Sequence, residues 1–271
     1  EKQKANKIIS FQKEEVESKK LIIEEKQREI IDSINYAKRI QYSLLANEQL
    51  LKNNLCEYFI FFNPKDIVSG DFYWATKKDN KFYMAVCDST GHGVPGAFMS
   101  LLSIGSLSEA INENNITEPN EVFEYVRKRL IESMEGQRDG FDGVLLCIDE
   151  SKKKVIYASA HNGPVLVRDG TIKELDADKM PVGMGVRDEP FKKYSIDVQK
   201  GDRLYLYTDG FADQFGGPKK KKFKYKQLNE ILLFNCMKPM SEQREILKQT
   251  FNDWKGELEQ VDDVCVIGIH L

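Results

Sequence analysis

Nine short segments rich in β-branched and aromatic residues follow Asn53, and they constrain the fold more than any other feature of the chain. Gly, Asn, Asp or Lys turns bound them, as they bound β-strands, and they read EYFIFFNP, GDFYWATKKD, KFYMAVCD, GVLLCIDE, KKVIYASA, VLVRDG, FKKYSIDV, RLYLYTDG and DVCVIGIHL. Two pairs of helical segments interrupt them, at about residues 96–112 and 119–134, then 225–234 and 241–258. This order predicts an α+β fold of two packed, mainly antiparallel sheets flanked by helix pairs. The stretches SKKK and RDGTI predict hairpin turns.

The first 53 residues differ from the rest of the chain. No proline or glycine occurs before residue 46, and Glu, Lys, Gln and Ile dominate, so the segment predicts one long helix. Apolar residues recur at the seven-residue seam period of a left-handed coiled coil, at Ile9, Val16, Ile23, Ile30, Ala37 and Leu44. The other position of each seven-residue repeat that should be apolar in a coiled coil is occupied by polar residues until Ile34. This favours a weak, adjustable parallel homodimer. The alternative is a single solvated helix that packs on the following domain through its last turns.

We therefore expect a coiled-coil linker at residues 1–53 and a folded domain at residues 54–271. The chain begins at Glu1, so we expect an upstream part that carries a sensor and, where the full-length protein is membrane-tethered, its anchor. No apolar stretch in the sequence approaches the length of about 20 residues that spans a bilayer, so the fragment itself is not expected to insert into a membrane.

Charge and cysteine usage narrow the functional classes. The formal net charge of −3 argues against a general nucleic-acid binder, because such proteins carry a positive excess that neutralises phosphates. The five cysteines are scattered and form no C-x-x-C pair, which disfavours a disulfide framework and a zinc cluster. Reduced core cysteines are typical of a cytoplasmic protein.

Acidic residues stand where several predicted strands begin or end. Asp71 opens one strand, Asp88 and Asp209 close two others, and Asp262 and Asp263 precede the last. Strand ends gather along one rim of a two-sheet sandwich, where several carboxylates repel one another unless cations neutralise them. Mg²⁺ and Mn²⁺ prefer carboxylate, carbonyl and water oxygens as ligands. The pattern therefore predicts a magnesium or manganese centre.

Four motifs in this order, DIVSGDFYW, DSTGHGVPGAFMS, LYTDGFAD and VDDVCVIGI, resemble those of the metal-dependent PPM phosphatases, which are protein phosphatase 2C-like. The resemblance is stronger to the bacterial branch typified by stage II sporulation protein E and the stress-response phosphatase RsbU, and it covers residues 58–271. It implies an α-β-β-α sandwich that removes phosphate from phosphoserine or phosphothreonine on a protein. In that branch the substrate is typically a phosphorylated anti-sigma-factor antagonist of the STAS type.

The resemblance also implies which residues form the site. Four aspartate side chains and one backbone carbonyl are expected to bind two ions of Mn²⁺ or Mg²⁺: Asp71, Asp88, Ser89 through its carbonyl, Asp209 and Asp262. Three further residues are expected beside these ligands: Asp263, Gly210 and His92. No side chain acts as nucleophile, because two metal ions activate a water molecule and stabilise the phosphoryl charge.

Other readings stay open. A catalytically silent interaction module of the same fold fits the same pattern, although loss of a ligand aspartate would favour it and none is lost. A metal-dependent phosphohydrolase of small molecules also fits. His92 is as readily a solvated loop residue, and His161 and His270 have less claim to function. Asp139 and Asp142 lie near a strand start, where they are weak candidates for an extra metal. The run Lys219–Lys222 is more readily a solvated loop than a surface that steers an acidic partner.

Overall fold

The computed structural model describes residues 2–135, 137–149 and 153–271. The chain divides into two compact units, one that ends at Ile40 and one that runs from Gln41 to Leu271. The helices are α1 (Lys2–Leu44), α2 (Glu48–Asn54), α3 (Gly93–Ser108), α4 (Pro119–Ser133), α5 (Gly210–Asp213), α6 (Tyr225–Asn235) and α7 (Met240–Lys255), and a π-helical turn (Glu109–Glu113) extends α3. The strands are β1 (Glu57–Asn63), β2 (Phe72–Lys78), β3 (Lys81–Ser89), β4 (Gly140–Asp149), β5 (Lys154–Ala160), β6 (Val165–Arg168), β7 (Thr171–Glu174), β8 (Val182–Gly183), β9 (Tyr194–Asp197), β10 (Arg203–Tyr207), β11 (Phe215–Gly216), β12 (Lys221–Lys222) and β13 (Val264–His270).

The long N-terminal helix is confirmed, since α1 runs for 43 residues. Ion pairs one turn apart line its surface, including Lys19 with Glu15 at 2.7 Å and Lys26 with Glu29 at 2.7 Å. Apolar seam residues of α1 are exposed, among them Val16 and Ile23. The side chain of Ile9 lies outside the described ones. The coiled coil, its dimer and the domain boundary at residue 53 stay predictions.

Two antiparallel sheets form the second unit. One sheet has the strand order β1-β13-β10-β6-β7, and the other has the order β2-β3-β4-β5-β9 with β8 paired to β4. The RDGTI hairpin is confirmed, because Arg168 pairs with Thr171 across Asp169 and Gly170, which both have positive φ as a two-residue turn requires. β4 and β5 pair as far as Asp149 and Lys154, but residues 150–152, which include the first two residues of the predicted SKKK turn, lie outside the described residues.

Alternating side chains of the strands build three apolar layers. In β3, Tyr83, Ala85 and Cys87 belong to the core that α3 and α4 cover, whereas Phe82, Met84 and Val86 belong to the core between the two sheets. In β13, residues such as Ile267 enter the same inter-sheet core. Val264 and Val266 join the third core, under α6 and α7. This arrangement is an α-β-β-α sandwich, as expected.

One helical stretch corrects an expectation from the sequence. The run Gly93–Glu113 is long and apolar enough, by length and composition alone, to cross a membrane. It reaches that length because the π-helical turn continues α3. Half of it is buried in the domain, and Leu107, Ala110 and Ile111 are fully buried in the core above the second sheet. Its apolar character is therefore that of a core helix.

Candidate metal centre

Strand pairing brings the predicted ligand residues together at one rim of the sandwich. Phe72 pairs with Cys87 in the β2–β3 ladder, so Asp71, which precedes β2, lies near Asp88 at the end of β3. In the other sheet Tyr207 pairs with Val266, so Asp209 follows β10 close to where Asp262 precedes β13. The charges of these four aspartates act on one another. The gathering of strand ends inferred from the sequence is therefore observed.

Asp71 is the most deeply buried of the four. Asp71 is 2% exposed. Thr208 Oγ1 donates a hydrogen bond to Asp71 Oδ2 at 2.6 Å. Burial raises the pKa of Asp71 well above its usual range, and the charge of Asp88 raises it further, while the Thr208 bond opposes the shift. A carboxylate this deep is costly to ionise without a cation nearby.

Asp88 and Asp209 are joined by a hydrogen bond between their carboxyl groups. Burial raises the pKa of Asp88 to about 8, with the charge of Asp209 as the next cause. Burial likewise raises the pKa of Asp209 to about 6, with the charge of Asp262 as the next cause. The pair therefore shares a proton near neutral pH, as closely spaced carboxyl groups do when no cation separates them.

The donor set fits a hard divalent cation. Among the ion pairs of residues 2–135, 137–149 and 153–271, none involves Asp71, Asp88, Asp209 or Asp262, so the acidic charge has no basic partner there. The Ser89 hydroxyl is buried with no hydrogen-bond partner among those residues. In the same described part, no three Asp, Glu, His or Cys side chains are arranged closely enough to hold a metal ion as they stand. Oxygen donors with uncompensated charge suit Mg²⁺ or Mn²⁺ rather than zinc.

The three residues expected beside the ligands have different surroundings. Asp263 accepts hydrogen bonds from two backbone amides, Lys65 N–H at 2.7 Å and Gly70 N–H at 2.8 Å, and so holds the loop that leads to Asp71. A Cβ at Gly210 would lie 1.8 Å from the carbonyl oxygen of Asp263, so only glycine fits there. His92 is half exposed, and its ring contacts Asp66: Nδ1 lies 2.9 Å from Asp66 Oδ2.

Gln41, near the end of α1, clamps the same loop from the other side. Its Nε2 donates to Ser69 O at 2.6 Å and to Ser100 Oγ at 2.8 Å, and its Oε1 accepts from Ser69 N–H at 3.1 Å. Gln41 is 1% exposed. Since Ser69 is two residues before Asp71, the position of a candidate ligand depends on a side chain of α1.

Asp142 and His161 form a pair next to the four aspartates Asp71, Asp88, Asp209 and Asp262, which we call the acidic cluster. Asp142 is the direct cross-strand partner of Asp88 in the β3–β4 ladder. The Nδ1 atom of His161 lies 2.7 Å from Asp142 Oδ1. Burial raises the pKa of Asp142, and the hydrogen bond from His161 opposes that shift.

The lysine run lies beyond α5 as an exposed hairpin. Lys221 and Lys222 form β12 and pair with Phe215 and Gly216 of β11. Lys222 Nζ lies 2.6 Å from Asp213 Oδ2. A role for the run Lys219–Lys222 in steering a partner stays a prediction.

Two functional candidates were missed from the sequence, Gln41 and Thr208. Asp142 was expected only as a weak candidate for an extra metal, and its pairing with His161 was not predicted. Thr208 had a local signal, because it directly precedes Asp209 in YTDG. Gln41 and His161 had none, since their partners are set by contacts between distant parts of the chain.

Comparison with known proteins places this chain in a family. The family model of stage II sporulation protein E (SpoIIE) matches residues 78–271. Phosphoserine phosphatase RsbU of Bacillus subtilis (strain 168) is 25% identical over 191 residues, which cover 69% of this chain and 55% of RsbU. The chain thus spans about half the length of that curated relative.

Solved structures agree with this assignment. The SiaA-PP2C domain of Pseudomonas aeruginosa has a TM-score of 0.84 and 28% sequence identity, with 90% of this chain and 98% of that chain covered. The PP2C phosphatase domain of SpoIIE from Bacillus subtilis, with a fragment of its regulatory domain, has the same fold: the TM-score is 0.66, the identity is 20%, and 79% of this chain and 63% of that chain are covered. The chain therefore belongs to the stage II sporulation protein E family of PPM-type, protein phosphatase 2C-like phosphatases.

Proposed function

We propose that this chain is a metal-dependent protein serine/threonine phosphatase of bacterial signalling. It hydrolyses phosphoserine or phosphothreonine on a small regulatory protein, for which a STAS-type anti-sigma-factor antagonist is our candidate. The observation that carries the proposal is the cluster of Asp71, Asp88, Asp209 and Asp262, which meets at one rim without a basic partner among the described residues. PPM-type phosphatases are metal-dependent, and this donor set suits two ions of Mn²⁺ or Mg²⁺.

Different residues of this chain bind the metal ions and position the loop that carries a ligand. Asp71, Asp88, Asp209, Asp262 and the Ser89 carbonyl are the groups that would hold the ions. Bound divalent ions supply the positive charge that activates water and stabilises phosphoryl oxygens. Asp263 keeps the loop before Asp71 in place through its two backbone hydrogen bonds. No side-chain nucleophile is required.

Regulation through the N-terminal helix is part of the proposal. Gln41 belongs to α1 and bonds both backbone groups of Ser69, so a shift of the last turn of α1 moves the loop that carries Asp71. The exposed apolar seam of α1 offers a surface on which a second copy packs as a parallel dimer. A signal that changes this packing would then change the metal site, which makes α1 the input element.

A cytoplasmic site of action completes the proposal. All five cysteines are free thiols, and four of them are buried: Cys87, Cys147, Cys236 and Cys265. Free thiols persist in a reducing compartment, and the phosphorylated regulators expected as substrates are found there.

Phosphate release from a phosphoserine protein and from p-nitrophenyl phosphate, with and without millimolar Mn²⁺, tests the proposal. Three proteins are compared: the unmodified chain, Asp88→Asn and Asp169→Asn. Asp169 lies in the exposed β6–β7 turn at φ +49°, a conformation that asparagine also adopts, so its substitution is a matched control. We expect Mn²⁺-dependent turnover that Asp88→Asn abolishes and Asp169→Asn leaves unchanged.

The other outcomes identify the competing functions. Absence of Mn²⁺ binding in calorimetry would favour a silent interaction module. Turnover of phosphorylated metabolites in preference to phosphoproteins would favour a small-molecule phosphohydrolase. Turnover that does not depend on a divalent cation would contradict the metal-dependent mechanism itself.

A further inference from the structure

We propose that residues 215–226, which we call the lysine hairpin, form a docking surface for an acidic segment of the phosphoprotein substrate. The inference rests on the proposed phosphatase function and adds to it the charge of the partner. Four observations support it: the concentration of positive charge, the firm attachment of the hairpin to the core, the exposed apolar side chains beside the lysines, and the position of the hairpin next to the candidate metal centre.

Positive charge is concentrated in the lysine hairpin. Six of the eight residues 219–226 are lysines, and all six are exposed. They contribute +6 to a chain whose formal net charge is −3, so all other residues together carry −9. Lys222 forms an ion pair with Asp213 at 2.6 Å, and Lys226 lies 4.0 Å from Glu230. Among the residues that the structure describes, the other four have no ion pair and are available to a partner: Lys219, Lys220, Lys221 and Lys224.

The hairpin is attached firmly to the core at both of its ends. Gly217 N–H donates to the carbonyl oxygen of Trp254 at 2.8 Å, and a Cβ at Gly217 would lie 2.6 Å from the Trp254 ring. On the return strand, Phe223 is buried, and its ring centroid lies 5.1 Å from those of Phe211 and Trp254. The backbone that carries the lysines is therefore already ordered, so docking has to order only the lysine side chains.

Apolar side chains are exposed beside the lysines. Phe215, which pairs with Lys222 across the hairpin, is 41% exposed. Val261 is 38% exposed and lies on an adjacent segment, because its N–H donates to Gln214 Oε1 at 3.0 Å. Apolar contacts inside a polar rim are typical of protein interfaces. A nucleic acid or an anionic membrane would extend beyond the hairpin and face the negative charge of the remaining chain, so the surface favours a protein.

The hairpin lies next to the candidate metal centre in two ways. Asp209 precedes α5, which is a single turn that ends at Asp213, the partner of Lys222. At 1.5 Å per residue, Asp213 lies about 6 Å along the helix from Asp209. On the neighbouring segment, Val261 directly precedes Asp262. A protein that docks on the hairpin therefore brings a phosphorylated side chain close to the candidate ligands.

Charge at the hairpin acts mainly on the encounter with the substrate. Most of this chain repels an acidic protein, whereas the lysines attract its acidic segment to the rim where the phosphate has to bind. Electrostatic steering of this kind raises the rate of association by about 10–10³-fold and is weakened by salt. It does not change the chemical step. The lysines should therefore affect KM and kcat/KM rather than kcat.

Two phosphoserine peptides of equal length test the assignment, one rich in glutamate and one with glutamine at the same positions. We expect the Mn²⁺-loaded, unmodified protein to have a kcat/KM about 10-fold or more higher on the glutamate peptide, and this preference should decline as NaCl is added. Lys219→Glu combined with Lys221→Glu should abolish the preference. The same double variant should keep its kcat on both peptides and hydrolyse p-nitrophenyl phosphate at the unmodified rate.

Lys200→Glu combined with Lys248→Glu is the matched control, because it changes the net charge equally. Lys200 lies in the turn before β10, at the end of that strand opposite Asp209, and Lys248 is exposed on α7. We expect this variant to keep the preference for the glutamate peptide. Thermal unfolding should give the same Tm for both double variants, since all four substituted lysines are exposed.

Each contrary outcome has a distinct meaning. A hairpin variant that retains the preference, or an unmodified protein with equal kcat/KM on both peptides, would overturn the inference. Binding of phosphatidylglycerol vesicles or duplex DNA through the hairpin, without a preference between the peptides, would assign the lysines to another class of partner. Failure of the unmodified protein on both peptides and on p-nitrophenyl phosphate would overturn the proposed function and this inference with it, whereas an active protein without the preference overturns this inference alone.

Discussion

The side-chain amide of Gln41 bonds both backbone groups of Ser69: Nε2 donates to the Ser69 carbonyl at 2.6 Å and Oε1 accepts from the Ser69 N–H at 3.1 Å. A bidentate amide of this kind fixes the peptide in position and in orientation. Gly70 follows, and its N–H donates to Asp263. The segment before Asp71 is thus bonded to the end of α1 on one side and to the start of β13 on the other.

Replacement of this clamp should weaken both the fold and the metal site. We expect Gln41→Ala to lower the free energy of unfolding by about 1–3 kcal/mol, because it leaves the buried Ser69 N–H without a partner and the Ser69 carbonyl with only the longer bond from Ser100 Oγ at 3.4 Å. We also expect a higher Mn²⁺ concentration at half-maximal activity. Urea unfolding and Mn²⁺ titration of activity measure the two effects. Gln49→Ala, at an exposed position of α2, should change stability by no more than about 0.5 kcal/mol. An unaltered Mn²⁺ dependence in Gln41→Ala would show that the clamp does not position the site.

The acidic cluster should make the stability of the metal-free protein fall as pH rises. Burial raises the pKa of Asp88 to about 8 and that of Asp209 to about 6, above the usual value of about 3.9 for an unfolded chain. Between pH 4 and pH 8 the folded state therefore binds more protons than the unfolded state, so the free energy of unfolding is highest near pH 4 and declines toward pH 8. Urea unfolding of chelator-treated protein across this range measures the slope. Asp88→Asn should reduce it, and an equally steep slope in that variant would contradict the assignment.

Metal binding should release protons for the same reason. At pH 7 the pair of Asp88 and Asp209 holds a shared proton that a divalent cation must displace, since metal ligands bind in their deprotonated form. We expect at least one proton to be released per protein at pH 7, since the pKa of Asp71, another proposed ligand, is also raised by burial, and fewer protons at pH 9. Calorimetric Mn²⁺ titrations in buffers of different ionisation enthalpy count these protons. Binding enthalpies that do not depend on the buffer would count against a shared proton.

Local patterns predicted the layers of this fold because they record which side of each strand is buried. The alternation of Tyr83 and Ala85 with Phe82 and Met84 separates two cores and is visible in the sequence itself. The acidic strand ends were also visible, because Asp71, Asp88 and Asp209 each adjoin an apolar strand. Patterns of this kind depend only on neighbours within a few residues, so they can be recognised from the sequence without knowledge of the tertiary structure.

Contacts between distant segments explain what was missed. Gln41 reaches Ser69 over 28 residues and Ser100 over 59, so nothing around it in the sequence indicates its partners. Asp142 becomes the neighbour of Asp88 only through the register of β3 with β4, across the α3–α4 helix pair. The two-residue strands β8, β11 and β12 were likewise missed, because two residues are too few to show the alternation of apolar and polar side chains that identifies a strand.

Two glycines of α3 should respond to alanine in opposite directions. A Cβ at Gly96 would lie 2.1 Å from Gly91 O and 2.9 Å from the Cα of Gly70, so two backbone segments beside the site must move. We expect Gly96→Ala to lower the free energy of unfolding by about 1–3 kcal/mol and to impair Mn²⁺ binding. Gly105, in the same helix, has no atom within 4 Å of an added Cβ, so Gly105→Ala should raise stability by about 0.5–1 kcal/mol. Thermal and urea unfolding compare the two, and a tolerated Gly96→Ala would contradict the tight packing of this turn.

The exposed seam of α1 should carry both dimerisation and control of activity. Ile23 and Ile30 are 64% and 60% exposed, an arrangement that costs free energy unless a second helix covers them. Ile23→Asp combined with Ile30→Asp should shift the protein from dimer to monomer in analytical ultracentrifugation and change kcat on a phosphoserine protein by about 5-fold or more. Glu25→Ala, two positions along from Ile23 and off the seven-residue seam, is the control and should leave both unchanged. Because α1 ends at the Gln41 clamp, a dimer-dependent rate would connect the seam to the loop before Asp71. A double variant that remains dimeric and equally active would remove α1 from both roles.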